Sequence, residues 1–270
     1  MSDFKAGVAR QFNRASSTYD CHADVQRVMA NQLLCSLGSR PGELKSVLEL
    51  GCGTGYLTAK LAEAFPAARI TAVDLAPEMV KVARHKVRAP SVEFLVADAE
   101  VHRWEPNSFD VIASNATVQW FESTEGAMRS LAEALRVGGL MLHSTFGPGT
   151  FQELNTVLDE IEGPQVRGLS LASPNRWEAI LRAAGLRGVG CRQSMVTRHY
   201  PGLLYFLQAV KGSGASFEPN RNPARWSRYR TLKEVVRRYE ERFSSPEGVI
   251  VTYELVEVSG TRNDSSLPGV

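Results

Sequence analysis

The chain has 270 residues, of which 43% are hydrophobic, 22% charged and 8% aromatic. This ordinary globular composition excludes collagen-like, coiled-coil and disordered chains. No apolar run reaches the ~18 residues that a membrane span needs, and the first twenty residues lack the apolar core of a secretory signal. The formal net charge is only +2, from 31 basic and 29 acidic residues, so the total charge identifies no partner.

The cysteines indicate a compartment but no chemistry. Cys21, Cys35, Cys52 and Cys191 are widely scattered and show no CxxC spacing. Such cysteines in a chain without a signal are typical of free thiols in a reducing compartment, so we expect a cytoplasmic protein. Zinc-ligand spacing does not occur, and we expect no metal. A nucleophilic role for Cys52 is the weaker alternative to a small residue that fills a tight turn.

The first half of the chain alternates between two hydrophobic periodicities. Residues 1–45 show helical spacing and predict an N-terminal helical cap. Strand-type apolar runs follow at residues 46–50, 69–75, 92–98, 109–115 and 139–146. Helical segments lie between them at residues 56–65, 77–87 and 126–136, the last ended by Gly138 and Gly139. This alternation predicts a parallel sheet with crossover helices.

The rhythm changes after residue 146. We predict helices at residues 151–161 and 175–184, and strands at 189–199 and 249–258. Residues 200–247, between these strands, are polar and rich in arginine, and an insert of that length usually carries function. The polar residues from 260 onward predict a frayed tail. We expect one domain over residues 1–270, with the alternating strands and helices of residues 46–146 as its core.

A glycine-rich loop is the strongest local signal. The sequence ELGCGTG at 49–55 follows a strand and opens a helix. Glycines there let the backbone approach a ligand closely. The spacing is G-x-G-x-G, whereas dinucleotide sites use G-x-G-x-x-G. Glu49 would repel a pyrophosphate but could support a cation, which favours a sulfonium cofactor over NAD.

Polar side chains end the next three strands. Asp74 could accept hydrogen bonds from a ribose diol, Asp98 from an exocyclic adenine amine, and the Asn115 backbone could bind an amino-acid moiety. Each acid could instead cap the helix that follows it. Because open α/β sheets bind ligands at the carboxyl ends of their strands, the set together favours a cofactor site.

These segments resemble the class I S-adenosylmethionine-dependent methyltransferases. The resemblance rests on ELGCGTG (49–55), VDLAPEM (73–79), ADA (97–99) and FDVIASN (109–115). It implies a Rossmann-like α/β fold, with a mostly parallel seven-stranded sheet, helices on both faces and residues 249–258 as an antiparallel last strand. It places Glu49 near the methionine part of S-adenosyl-L-methionine. It also implies that residues 46–146 are the cofactor-binding core and that the cap of residues 1–45 lies over the cofactor. For Met79, packing in the helix core is an equal alternative to a role in cofactor binding. The implied cofactor-binding residues are Glu49, Gly51, Cys52, Gly53, Gly55, Asp74, Leu75, Met79, Asp98, Ala99 and Asn115.

Three further segments narrow the resemblance. Residues 8–20 with His22, the stretch SNATVQW at 114–120, and VKGSGAS at 210–216 are similar to the malonyl-[acyl-carrier protein] O-methyltransferases of biotin synthesis. The third segment is the most discriminating. The resemblance implies methylation of the free malonyl carboxylate on an acyl carrier protein, with S-adenosyl-L-homocysteine as the second product. The ester hides the charge, so that the chain can be elongated as a pimeloyl precursor.

The implied reaction needs alignment more than proton transfer. A malonyl carboxylate is already ionised at neutral pH, so we name no general base and expect the site to orient the reactants and exclude water. The positioning candidates are Tyr19, Gln119 and Trp120, with packing roles as the alternative. A buried carboxylate needs a cationic partner, and the candidates are Arg167, Arg198 and Lys211, each of which could be a surface charge instead.

The charge distribution indicates a partner. Residues 182–233 hold ten basic residues and one acidic residue. Acyl carrier proteins are acidic, so a basic surface suits their docking. We therefore predict docking by Arg221, Arg225, Arg228 and Arg230; a merely solvated charged face is the alternative.

Three other functions remain open from the sequence. A small free carboxylic acid or other metabolite could be the substrate. The basic stretch, with Trp226 and Tyr229 interleaved, could bind RNA, although we expect neither nucleic acid nor membrane as a partner. A cofactor-binding protein without catalysis is the third. The sequence does not give the oligomeric state; a monomer is our expectation.

Overall fold

The computed structural model describes residues 1–38, 44–164, 169–215 and 229–263, apart from the side chains of residues 229–231. Arg167, Arg221, Arg225, Arg228 and the Arg230 side chain therefore lie outside the description. The helices are α1 (Asp3–Ala15), α2 (Tyr19–His22), α3 (Asp24–Gly38), α4 (Tyr56–Ala64), α5 (Pro77–Lys86), α6 (Thr124–Ala134), α7 (Gln152–Glu162), α8 (Pro174–Ala183), α9 (Leu203–Gly212) and α10 (Tyr229–Phe243), with a 3₁₀ turn at Val118–Trp120.

One sheet organises the fold. Its strands are β1 (Ser46–Leu50), β2 (Arg69–Asp74), β3 (Val92–Val96), β4 (Phe109–Asn115), β5 (Leu135–Phe146), β6 (Leu186–Tyr200), β7 (Ser244–Ser245) and β8 (Gly248–Arg262). The order is β3-β2-β1-β4-β5-β8-β6, and β7 pairs with β8. Neighbours from β3 to β5 are parallel, whereas β8 is antiparallel to both β5 and β6. The predicted mostly parallel sheet with an antiparallel last strand is confirmed, with two-residue β7 as an addition.

Two predicted boundaries are wrong. Helix α6 ends at Ala134, because Leu135 is already extended with φ −67° and ψ 146°. Gly138 and Gly139 therefore lie within β5, at an irregularity where Phe109 pairs with Leu135 and Val111 pairs with Leu140. The predicted tail also begins too early, since residues 260–262 still belong to β8 and Arg262 pairs with Leu186.

The N-terminal helices and the insert pack onto the sheet through separate apolar clusters. Leu33 of α3 is fully buried in a cluster with residues of α4, whereas Met29 of α3 is fully buried in a second cluster, with residues of α7, α9, α10 and β8. Within the insert, Val235 and Tyr239 of α10 are buried, and the Tyr239 hydroxyl donates to the Ile250 carbonyl at 2.6 Å. Burial of each such side chain contributes about 1.5–3 kcal/mol. In the described ranges, no helix has the length and hydropathy that a bilayer crossing requires.

Candidate active site

A cavity that is partly open to solvent lies at the carboxyl ends of β1 to β4. The loops after these strands form its floor, and α1 and α2 close it from above. The cavity is lined by Lys5, Val8, Ala9, Phe12, Tyr19, Gly51, Gly53, Val73, Asp74, Leu75, Ala76, Met79, Ala97, Asp98, Ala99, Asn115, Ala116, Thr117, Trp120 and Phe121. Of the eleven expected cofactor residues, Glu49, Cys52 and Gly55 do not line it.

The glycine loop is shaped by backbone geometry that glycine alone allows cheaply. Gly51 has φ 70°, and a Cβ there would lie 2.0 Å from Thr117 Oγ1. The Gly51 and Cys52 amides both donate to the Val73 carbonyl, at 2.7 and 2.9 Å. Gly53 also has a positive φ, of 54°, and nothing lies within 4 Å of its missing Cβ. The loop thus turns tightly beneath the cavity and leaves open space at Gly53.

Asp74 ties this loop to the end of β2. Its Oδ2 accepts a hydrogen bond from the Gly53 amide and its Oδ1 from the Ala76 amide, both at 2.8 Å. Burial raises the pKa of Asp74, and the backbone donors oppose that shift.

Burial, followed by the charges of Asp74 and Asp20, raises the pKa of the Tyr19 hydroxyl. Tyr19 therefore remains a protonated phenol over the cavity.

Glu49 is a buried acid with an unused oxygen. Its side chain is 1% exposed, and its Oε2 has no hydrogen-bond partner among the described residues. Burial raises the pKa of Glu49 to about 7. A buried, unpaired carboxylate is unfavourable unless a cation or donor compensates it. The acidic set of Glu49 and Asp74 thus suits a positively charged ligand with hydroxyl donors, which is the chemistry of a sulfonium nucleoside.

Asp98 has partners that the sequence analysis missed. Its Oδ1 accepts from Lys5 Nζ and from the Glu100 amide, both at 3.1 Å. Lys5 Nζ also lies 2.6 Å from Glu100 Oε2 and 4.9 Å from the centre of the Phe121 ring. Lys5 lies 93 positions before Asp98 in the chain and precedes the residue 8–20 signature, so no motif indicated it; its contact with Asp98 and its lining of the same cavity connect it with the site.

Asn115 joins the cavity to the cap. Its Nδ2 donates to the Gln26 carbonyl at 3.0 Å, and its Oδ1 accepts from the Ser144 hydroxyl at 2.6 Å. Its carbonyl accepts from Thr117 Oγ1 at 3.0 Å. The side chain therefore fixes α3 against the end of β4, a role the sequence did not indicate.

The three positioning candidates differ in their placement. Tyr19 and Trp120 line the cavity on either side of Phe12, whose ring lies 6.4 Å from that of Tyr19 and 5.6 Å from that of Trp120. Gln119 does not line it. Its Nε2 donates to the Ala116 carbonyl and its Oε1 accepts from Thr145 Oγ1, both at 2.9 Å. Gln119 therefore braces the turn that carries Trp120.

Cys52 offers no nucleophile. It is buried, and burial followed by the charges of Asp74 and Glu49 raises the pKa of its thiol. A thiol of raised pKa is mostly protonated at neutral pH and unreactive. Clusters of three or more metal-ligating side chains are also absent from the part of the chain that the structure describes.

The described candidates for the carboxylate clamp lie off the cavity wall. Arg198 Nε pairs with Asp24 Oδ2 at 2.9 Å, which ties β6 to α3. Lys211 is exposed at the end of α9. Arg167 lies outside the described residues.

The glycine segment around Lys211 packs on the cap. A Cβ on Gly212 would lie 2.3 Å from His22 Cδ2, and one on Gly214 would lie 3.0 Å from Phe12 Cδ1. The Thr18 hydroxyl donates to the Gly212 carbonyl at 3.0 Å. The insert thus contacts the helices that hold Phe12 and Tyr19, so the third sequence signature lies against the first.

Comparison with known proteins gives a consistent result. A family model described as a methyltransferase domain matches residues 48–143. A malonyl-[acyl-carrier protein] O-methyltransferase of Paenibacillus sp. (strain JDR-2) is 38% identical, with 94% of this chain and 98% of that protein covered. Proteins of the same name from Priestia megaterium and Bacillus cereus are 34% and 33% identical, each with 97% of its own length covered, and with 94% and 96% of this chain covered respectively.

Solved structures agree on the fold. The YcgJ protein of Bacillus subtilis has a TM-score of 0.61 at 18% identity, covering 87% of this chain and 99% of that one. Phosphoethanolamine N-methyltransferase 2 of Haemonchus contortus, in complex with S-adenosyl-L-methionine, has a TM-score of 0.62 at 17% identity, covering 98% and 61%. At this identity the likeness establishes the architecture alone.

Proposed function

The chain belongs to the malonyl-[acyl-carrier protein] O-methyltransferase family, and from this premise we propose that it methylates the free carboxylate of malonyl-acyl carrier protein with S-adenosyl-L-methionine. The product is the malonyl methyl ester that primes pimeloyl and biotin synthesis. The identity extends over the cap and the insert as well as the cofactor core, and those flanks are where substrate choice resides in this fold.

The acidic cavity supports the cofactor assignment. Asp74, held by two backbone amides, and Asp98 both line the cavity, and the buried Glu49, with one unpartnered oxygen, lies at the end of β1 just before the glycine loop that forms the cavity floor. These residues fit a ligand with a cationic end, a diol and an exocyclic amine. When bound, the cofactor supplies an electrophilic methyl on a sulfonium. The side chains of the chain bind and orient it.

The chemistry left to the protein is alignment in a dry space. The substrate carboxylate is ionised without a base, since carboxyl groups ordinarily have a pKa near 4, as in the values of about 3.9 and 4.3 for Asp and Glu. Phe12, Tyr19 and Trp120 form an aromatic wall that excludes water, and the neutral Tyr19 phenol can donate to a carboxylate. Proximity and orientation of this kind supply a large part of such rate accelerations.

The carrier protein is the proposed partner. In the described part of the insert, Arg237 and Arg238 are paired with Glu234, and Arg237 also with Glu241. Charge that is already paired offers little to a partner. We therefore assign docking to Arg221, Arg225, Arg228 and Arg230, as the sequence predicted. The cytoplasmic location and the monomeric state also stay predictions.

A methyl-transfer assay tests the function. Malonyl-acyl carrier protein, malonyl-CoA and free malonate are offered at equal concentration with labelled cofactor, alongside rescue of a biotin auxotroph that lacks this step. We expect transfer to the carrier-bound thioester and rescue. Transfer to free diacids alone would identify the small-acid enzyme instead, and cofactor binding without transfer to any acceptor would indicate a non-catalytic protein.

A further inference from the structure

Helix α1 places a buried ammonium beside Asp98 in the wall of the cavity. The Lys5 side chain is 5% exposed and lies between two carboxylates, Asp98 at 16% and Glu100 at 5% exposure. Its Nζ is 3.1 Å from Asp98 Oδ1 and 2.6 Å from Glu100 Oε2. A lysine this deeply buried is unfavourable unless it is paired. The sequence analysis gave Lys5 no role.

The pairing leaves Asp98 half engaged. Both of its described donors, Lys5 Nζ and the Glu100 amide, bond to Oδ1. Oδ2 accepts no hydrogen bond from the described residues, and Asp98 lines the cavity. The ammonium thus holds the carboxylate by one oxygen and leaves the other available to a donor inside the cavity.

Glu100 makes this arrangement rigid. Its Oε2 accepts from the Glu122 amide at 3.0 Å, and its Oε1 accepts from the Ser123 amide. The Phe121 ring lies 4.9 Å from Lys5 Nζ, within the range of a cation–π interaction. Lys5 therefore connects α1 with the loop after β3 and with the loop after the 3₁₀ turn. The cap is fastened at the point where Asp98 faces the cavity.

We infer that Lys5 is a positioning residue of the cofactor site, which orients Asp98 toward the adenine amine and fastens α1 over it. The inference rests on the proposed function, because it presumes that an adenine-bearing cofactor fills the cavity. If Lys5 only holds the cap in place, its loss should weaken the binding of every ligand of that size equally. If Lys5 acts through Asp98, its loss should weaken a base that carries the amine more than a base that lacks it.

The test compares two ligands on the full chain. S-adenosyl-L-homocysteine carries the amine, whereas S-inosyl-L-homocysteine carries a carbonyl in its place. Calorimetry measures both dissociation constants for the wild type, for Lys5→Met, and for Lys60→Met as the matched control, since Lys60 is an exposed lysine whose Nζ lies 4.0 Å from Glu63. We expect Lys5→Met to weaken the adenine ligand roughly tenfold or more and the inosine ligand less, because a charge-assisted interaction is lost. Lys60→Met should leave both constants unchanged.

The double variant Lys5→Met with Glu100→Gln guards against misfolding, because it removes one charge of each sign. We expect this double variant to show the same drop in preference for the amine-bearing ligand as Lys5→Met and to have the circular dichroism spectrum of the wild type. Equal weakening of both ligands, or no change in either, would overturn the inference. Failure of the wild type to bind S-adenosyl-L-homocysteine would instead overturn the proposed function, and this inference with it.

Discussion

The Thr54 hydroxyl donates a hydrogen bond to Asp20 Oδ1 at 2.6 Å, and this contact joins the glycine loop to helix α2. Asp20 Oδ2 also pairs with Lys86 of α5. Although burial opposes it, hydrogen bonding with Lys86 and Thr54 lowers the pKa of Asp20. Because Tyr19 directly precedes Asp20 in the chain, this contact fixes the position of the Tyr19 ring relative to the glycine loop at the floor of the cavity.

Breaking this contact should loosen the lid. Thr54→Val keeps the shape of the side chain but removes the donor, at a cost of about 1 kcal/mol. We expect weaker S-adenosyl-L-homocysteine binding, by roughly fivefold, and faster proteolysis within residues 1–38. Thr54→Ser, which keeps the hydroxyl, is the control and should behave as wild type. Unchanged affinity in Thr54→Val would show that the cap is held elsewhere.

Glu49 should give cofactor binding a pH dependence. Its pKa lies near 7 in the folded protein, so the carboxylate becomes available to a cation as pH rises through 7. We expect the dissociation constant of S-adenosyl-L-methionine, which carries the sulfonium, to fall between pH 6 and pH 8, measured by calorimetry. Glu49→Gln should bind at least about tenfold more weakly and lose this pH dependence. A pH dependence that persists in Glu49→Gln would contradict the assignment.

The same acid should lower the stability of the ligand-free protein as pH rises. The folded pKa is raised from 4.5 to about 7, so the free energy of unfolding falls from pH 4.5 up to about 7. The loss is at most about 3.5 kcal/mol, at about 1.4 kcal/mol per pKa unit. Urea unfolding of ligand-free wild type and Glu49→Gln at several pH values checks this; parallel curves would contradict it.

His143 should make the protein sensitive to acid. It is 1% exposed, both ring nitrogens lack partners among the described residues, and burial lowers its pKa from 6.5 to about 3. The stability present above pH 6.5 is therefore lost as pH falls toward 3, by about 2 kcal/mol at pH 5. His143→Phe, which can still pack edge-on against Trp177, should resist acid better in urea unfolding at pH 5, with little change at pH 7.5.

The contact between insert and cap should matter for the protein substrate. Gly212→Ala places a Cβ against the His22 ring, and displacing it costs about 1 kcal/mol or more. We expect the KM for malonyl-acyl carrier protein to rise severalfold, with a smaller effect on S-adenosyl-L-homocysteine affinity. Gly190→Ala is the matched control, because nothing lies within 4 Å of its missing Cβ. Equal kinetics for the two variants would exclude this coupling.

Reversal of the docking charges should change the association of the enzyme with its carrier protein rather than the methyl-transfer step. Arg221→Glu with Arg225→Glu should raise the KM for malonyl-acyl carrier protein and reduce its salt dependence, since complementary charge acts mainly on association. The turnover number at saturating carrier protein should stay near that of the wild type. Arg237→Glu serves as the comparison, because Arg237 is already paired with Glu234 and Glu241. Unchanged kinetics at low salt would refute the docking role.

The sequence alone predicted those features of the site that depend on residues close together in the chain. The glycine loop and the acids at 74 and 98 follow from local pattern, because parallel strands end at a common edge. The partners of those acids did not follow, since Lys5 and Asp98 are 93 positions apart and meet only through tertiary packing. The true end of α6 was hidden because Gly138 and Gly139 are as typical of a helix end as of a strand irregularity. The placement of Gln119 could not be predicted for the same reason, because its side chain bonds to Thr145 of the distant strand β5.

The position of β8 has a consequence for synthesis of the protein. β8 follows both β5 and β6 along the chain but lies between them in the sheet, so neither of those strands can be paired on that side until residues 248–262 have left the ribosome. Unpaired strand edges promote association between chains. A chain terminated before residue 248 should therefore accumulate in aggregates, and the cell must protect the nascent sheet until its last strand arrives.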